Sequence, residues 1–282
     1  ASMSSYLAAK QRIYAANTVA VSNRDDPATG IERPPRVSFG ADAPSVAGDF
    51  GLVREGALTW LAQAVALDDG SSAARRRRQP VPPTVRRLMP ADALRIRGLH
   101  NQMNALAALA LCSSIGVPMP AMLHALRDYA GEPHRCELVA VIDDVEYYDD
   151  SKGTNIGATV AALGGLSRRC RLIAGGDGKG QDFAALAPAV ARHASGVWLI
   201  GRDAPALRAA LAGTGVPLVD CADLPAAVRA ASEGARAGEA VLLSPACASL
   251  DMFRDYAHRA QVFVEAVREL AAEHGTPLEA SC

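Results

Sequence analysis

Three short polar stretches gather most of the residues that could do chemistry: DDSKGTN (149–155), GGDGKGQDF (175–183) and SPACASLD (244–251). The first follows the strand-like run VEYY and precedes GATVAALGG, which reads as a helix. A strand-to-helix turn aims backbone N–H groups and short side chains past the strand end, which suits an anion or a nucleotide sugar. An ordinary capped helix start, with Ser, Thr and Asn serving only as caps, accounts for the same residues. Lys179 in the second stretch is either a clamp for a carboxylate or an exposed turn lysine. This stretch is not a triphosphate loop: Lys179 is followed by Gly180 instead of Ser or Thr, and Ile173 stands where the first glycine belongs. No G-x-G-x-x-G fingerprint opens the first strand–helix turn of this half, which disfavours a nicotinamide or flavin enzyme.

The elements that must position these turns follow from hydrophobic patterning. Beyond residue 136 the apolar runs ELVAVI, VEYY, RLIAGG, GVWLIG, VPLVD and AVLLSP alternate with helical segments as far as about residue 272. That alternation predicts a doubly wound α/β domain on a mainly parallel sheet, with the three polar turns at carboxyl ends of strands, where such sheets bind ligands. Toward the amino end, SYLAAKQRIYAA predicts a helix and TVAVSN a strand closed by the turn NRDDPATG. RVSFG, GLVREGALTWLAQ and ALRIRG predict a small antiparallel region between residues 36 and 97. HNQMNALAALALCSSIG and MPAMLHALRDYAG read as two helices ending in glycine, and GEPHR as a hinge. The expected division is therefore 1–130 and 131–282. Residues 136–272 should fold by themselves, whereas residues 1–35 read as the end of a sheet.

With half of its 282 residues apolar and 21% charged, the chain can bury the cores of about two domains. A formal net charge of -1 gives no global attraction to nucleic acid or anionic membrane. Only the run Arg75–Arg78 with Arg86 and Arg87 could be a local basic patch, and its prolines and lack of aromatics favour a solvated loop. The six scattered cysteines show neither disulfide nor zinc spacing, and no leader or uncharged run of about 18 apolar residues occurs. A cytoplasmic monomer without nucleic-acid or membrane partners is the expectation.

In chain order, YLAAKQRIY, VSNRDDP, GLHNQMNALAALAL, GEPHRCE, YYDDSKGTN, LIAGGDGKGQDF and LLSPACASLDMF resemble the Mur ligases over nearly the whole length. GGDGK together with SPACASLDMF is most similar to the branch that adds D-glutamate. The resemblance implies that residues 1–130 are the C-terminal part of a central ATP-binding domain and 131–282 an amino-acid-binding domain. It implies that ATP, with Mg2+, activates the alanyl carboxylate of UDP-N-acetylmuramoyl-L-alanine as an acyl phosphate, which the D-glutamate amine attacks. Positioning and electrostatics would then carry catalysis.

The same resemblance implies individual roles. Lys10 matches a lysine carried as a carbamate that helps hold magnesium; without it, Lys10 is a solvated helix lysine. Asn101 and Asn104 match residues near the nucleotide, although helix capping also explains them. Arg135 matches an arginine that reaches the ATP phosphates, Asp150 the acid on the ribose hydroxyls, and Lys152 a cation near the phosphates. Thr154, Lys179, Ser249 and Leu250 match positions that hold the D-glutamate carboxylates. Tyr256 also matches a D-glutamate-binding position, standing where this branch usually has phenylalanine, and Ala260 stands where it has glycine.

The uridine-nucleotide domain, a G-K-T/S loop, a magnesium-binding glutamate and a histidine upstream of Lys10 are not among these 282 residues. The expectation is that this chain alone does not turn over ATP. Two alternatives stay open: a nucleotide- or amino-acid-binding remnant without catalysis, and another amide ligase of the same superfamily. The reading frame upstream of Ala1 separates the first, and an amino-acid screen against UDP-muramoyl acceptors the second.

Overall fold

A computed structural model describes residues 3–30, 36–66 and 82–276. The chain divides into two compact units, Ala1–Ala130 and Gly131–Cys282.

In the first unit, helix α1 (Met3–Gln11) precedes strands β1 (Ala20–Asn23), β2 (Arg36–Phe39), β3 (Phe50–Glu55), β4 (Leu58–Val65) and β5 (Thr84–Pro90), which form one sheet in chain order. Helices α2 (Leu99–Ser114) and α3 (Met119–Asp128) follow. Leu106, Leu109 and Ala110 on α2 bury one stripe against Phe50, Leu52, Leu61 and Met89 of the sheet.

The region between residues 36 and 97 is not the purely antiparallel one expected. β2 runs parallel to both β1 and β3, and only β3–β4 and β4–β5 are antiparallel. ALRIRG (93–98) forms no strand; it follows a short turn at Ala91–Ala93 and leads irregularly to α2, and the fifth strand is TVRRLMP. Its arginines disguised it in the sequence. β5 is an edge strand, where charged side chains are tolerated because one margin faces water. Arg86 there bonds Gln63, while Arg87 pairs with Glu55 and lies over the Trp60 ring. The run Arg75–Arg78 lies outside the described residues.

The second unit holds a six-stranded sheet in the order β10-β9-β8-β11-β7-β6: β6 (Glu137–Ile142), β7 (Val145–Asp149), β8 (Cys170–Gly175), β9 (Ala194–Ile200), β10 (Leu218–Asp220) and β11 (Ala240–Leu243). All neighbours are parallel except β6 and β7, so the expected mainly parallel α/β sheet is present. Helices α4 (Ile156–Gly165), α5 (Ala187–His193), α6 (Ala204–Leu211), α7 (Leu224–Ser232) and α8 (Tyr256–Glu273) connect and cover it. Leu172 and Leu242 pack on one face with Leu163, Leu186 and Leu207; Ile173, Val241 and Leu243 pack on the other with Val228 and Phe263. Strands buried on both faces read as continuous apolar runs. Each such side chain stabilises the fold by roughly 1.5–3 kcal/mol.

A candidate ligand site at the carboxyl ends of the central strands

β11 lies between β7 and β8, so the turns leaving these three strands are neighbours. Asp149 ends β7 fully buried, its Oδ1 accepting the Ser151 N–H at 2.8 Å and its Oδ2 lying 2.8 Å from His134 Nδ1. Burial pushes its carboxyl above the ordinary range, against the pull of His134 and Ser151. Asp150 is only 6% exposed; Oδ2 accepts from Ser244 Oγ at 2.6 Å and Oδ1 from the Cys136 N–H at 3.3 Å. Loss of solvation raises its pKa to about 6, the Asp149 charge adding to the rise and the Ser244 and Cys136 bonds opposing it. Gly153 is needed beside it, because a Cβ there would come within 2.5 Å of Asp150 Oδ2.

One side chain ties two of the turns together. Arg259 of α8 is fully buried; its Nε donates to Ser151 Oγ at 3.0 Å, one terminal nitrogen to Ser151 O at 2.8 Å and the other to Cys247 O at 3.2 Å. Burial lowers its pKa to about 10, so it stays charged at neutral pH. Ser151 Oγ in turn donates to Tyr256 O at 2.7 Å. The helix cap of this turn is Asn155, which accepts from Ala158 N–H at 3.0 Å. Capping therefore explains Asn155 but not Ser151, whose hydroxyl is engaged in the clamp.

The second turn is pinned to the third by a reciprocal pair: Asp177 and Ala248 exchange N–H···O bonds of 2.9 Å each. Asp177 Oδ1 also accepts the Lys179 N–H at 2.9 Å and contacts the Arg202 guanidinium. Asp203 Oδ2 accepts the Gly178 N–H at 2.6 Å. Lys179 is thereby held at φ +52°, exposed, two residues past the rung, while Ser249, one residue past it on the other side, is 3% exposed. Gly175 could not be larger: a Cβ would lie 1.9 Å from Ile200 O. Asp203→Ala is expected to speed exchange of the Gly178 amide about tenfold, since a bond to a carboxylate is lost, and Asp203→Asn to restore most of the protection. Hydrogen exchange followed by NMR reads this, and unchanged protection in the alanine variant would show that the loop is held otherwise.

The remaining sequence-derived residues fall as follows. Lys152 is half-buried, with Nζ 3.5 Å from the centroid of the half-buried Tyr256 ring. Thr154 is half-buried, its N–H bonded to Lys152 O at 2.9 Å. Leu250 is 65% exposed, Arg135 is exposed in the loop before β6, and Ala260 is fully buried in α8. In the first unit, Asn101 Nδ2 donates to Arg97 O at 2.8 Å and Asn101 Oδ1 accepts from Asn104 Nδ2 at 3.3 Å, so this pair does meet. Lys10 is exposed on α1, with Nζ 5.4 Å from the Tyr6 ring centroid. Among the described residues, the only His/Cys/Asp/Glu group close enough to seat a metal is His134, Glu137 and Asp149. It is already bonded within itself, Glu137 Oε2 accepting the His134 N–H at 3.0 Å.

Sequence reasoning missed Arg259, Asp203 and the His134–Asp149 pair. Arg259 left a trace: it lies on the stripe of Phe263, Ala266, Val267 and Leu270, so an arginine occupied the apolar face of its helix. Asp203 and His134 left none, because their partners are 25 and 15 residues away.

Residues 134–247 match the family described as Mur ligase, glutamate ligase domain. The chain is 60% identical over 287 residues to a UDP-N-acetylmuramoylalanine–D-glutamate ligase of Ralstonia nicotianae, a match covering 98% of this chain and 58% of that protein. It is 59% identical over 288 residues to the protein of the same name from Burkholderia pseudomallei, covering 97% and 57%. The chain thus spans a little over half the length of the curated relatives it matches. Among solved structures, a UDP-N-acetylmuramate–alanine ligase from Thermotoga maritima aligns over 95% of this chain and 56% of that one, with TM-score 0.60 and 17% identity. A pseudomurein peptide ligase type C from Methanothermus fervidus aligns over 95% and 60%, with TM-score 0.62 and 14% identity. These two likenesses concern the fold alone.

Proposed function

The chain belongs to the Mur ligase family, and from that premise we propose that it is the nucleotide- and amino-acid-handling part of a ligase that adds D-glutamate to UDP-N-acetylmuramoyl-L-alanine in peptidoglycan precursor synthesis. On this reading residues 1–130 are the C-terminal part of the central ATP-binding domain and residues 131–282 the amino-acid-binding domain. The observation that carries it is the Asp177–Ala248 rung, which holds the Lys179 cation and the Ser249 hydroxyl at adjacent strand ends. D-Glutamate brings two carboxylates, which need a cation, hydroxyls and free amides; Thr154 and the backbone at Leu250 complete that set.

ATP with Mg2+ supplies, when bound, the phosphoryl group that makes the alanyl carboxylate open to attack by an amine. Asp150 fits ribose: each of its oxygens accepts one bond, which leaves acceptor capacity on both. Lys152 and Arg135 are the cations for phosphate, and Asn101 and Asn104 the amides for the nucleotide. Lys10, exposed and so open to carbon dioxide, would carry the carbamate. The described residues gather no carboxylates around Lys10 that would seat Mg2+ by themselves. Among them no helix is long and apolar enough to cross a membrane, and the proposal is of a cytoplasmic monomer.

The test is Lys179→Ala in the complete protein, with D-glutamate and ATP varied separately. A charge-assisted bond contributes roughly 1.5–3 kcal/mol, so KM for D-glutamate should rise about tenfold to a hundredfold while KM for ATP changes little. A rise confined to ATP would make Lys179 a phosphate ligand and remove the amino-acid reading of this loop.

A further inference from the structure

We propose that Tyr256 is a positioning residue for Lys152: its ring face seats the ammonium, so that this residue serves the phosphate side of the site and not only the amino-acid pocket. The inference rests on the functional reading above for the role of Lys152, and on geometry alone for the contact.

The Lys152 Nζ lies 3.5 Å from the Tyr256 ring centroid, well inside the roughly 6 Å over which an aromatic face attracts a cation. Both partners are fixed to one frame. Lys152 N–H donates to His134 O at 3.1 Å, and His134 is oriented by its pair with Asp149. The His134 ring also meets the Tyr256 ring edge-on, with centroids 6.1 Å apart and planes at 70°. Tyr256 is the first residue of α8, behind the Asp255 cap, and its carbonyl accepts the Ser151 hydroxyl at 2.7 Å. Ser151 adjoins Lys152, so the stem of the lysine and the ring that receives its tip are tied through one residue.

A lysine has a flexible four-carbon stem, and holding its ammonium costs rotamer entropy that a preformed seat has already met. Among the described residues its ammonium pairs with no carboxylate, so the ring is its seat and the charge stays available to an incoming anion. The hydroxyl of Tyr256 plays no part in this contact. A phenylalanine would offer the same face, which accounts for the tolerance of tyrosine at a position where the D-glutamate-adding branch usually carries phenylalanine.

Two measurements decide it. In this 282-residue chain, the Lys152 side-chain protons should show an upfield ring-current shift by NMR, assigned from its loss in Lys152→Arg. That shift should vanish in Tyr256→Leu and return in Tyr256→Phe. In the complete protein, Tyr256→Leu should lower kcat about tenfold and Tyr256→Phe should recover most of it, while phenylalanines of rising fluorine content at position 256 should lower kcat step by step. Fluorination weakens the ring's negative face with little change of shape, so a merely structural ring would give a flat series. A flat series, an unshifted Lys152, or a Tyr256→Leu effect confined to KM for D-glutamate would overturn the proposal. If the complete wild-type protein showed no D-glutamate-dependent turnover, the functional reading would fail, and the ring-current shift would still decide whether the seat exists.

Discussion

Arg259→Ala should destabilise the second unit by about 3–5 kcal/mol, from the buried acceptors it leaves unpaired and the cavity it opens. The guanidinium is fully buried, and all three of its bonds go to neutral oxygens on two different turns. Truncation would leave Ser151 O, Ser151 Oγ and Cys247 O short of a donor in a site that water reaches poorly, at roughly 1–3 kcal/mol for each group left unsatisfied. It would also open a cavity between α8 and the sheet. Lysine should rescue little, since a single ammonium cannot bridge three acceptors set in a fork. The chain has two tryptophans, and Trp198 lies in this unit while Trp60 lies in the other, so urea unfolding followed through Trp198 in a Trp60→Phe background isolates the effect. A loss below about 1 kcal/mol would mean that the turns hold each other without the clamp.

Asp150 gives the second large effect, through pH. An unfolded aspartate titrates near 4, whereas in the fold burial raises this one to about 6. The folded state therefore keeps a proton that the unfolded chain has already lost. The stability associated with that proton is complete below about pH 4 and is lost as pH rises through 6, a change on the order of 2–3 kcal/mol. Asp149, also raised by burial, changes stability in the same direction. Urea midpoints of the second unit should accordingly fall between pH 4.5 and pH 7.5, and Asp150→Asn should flatten most of that slope. An unchanged slope in the variant would show that Asp150 titrates normally. If the carboxylate also serves ribose, KM for ATP in the complete protein should worsen as pH falls through about 6, where the acceptor gains its proton.

The second unit was far more legible in the sequence than the first. Its strands are buried on both faces, so Leu172-Ile173 or Val241-Leu242-Leu243 is apolar without interruption, and each run is closed by a glycine- or serine-bearing turn. In the first unit TVRRLMP was hidden, because an edge strand needs only one apolar margin and its pairing with β4 is a non-local fact. The candidate site residues were visible where a polar type stood at a strand end: Asp150, Lys152, Lys179 and Ser249.

What the sequence by itself determined is, in the second unit, the order of elements, the mainly parallel sheet and the placing of three polar turns at strand ends, since hydrophobic period and turn chemistry are local properties. What only the tertiary structure decided is which of those groups touch. Strand order brought the turns after β7, β8 and β11 side by side; the Asp177–Ala248 rung joined the loops that carry Lys179 and Ser249; and Arg259, 108 residues from Ser151, joined two turns into one frame. Asp150 looks in the sequence like any exposed acid, and its raised pKa exists chiefly because folding removes water from it. Burial and through-space charge depend on distances that no local pattern encodes.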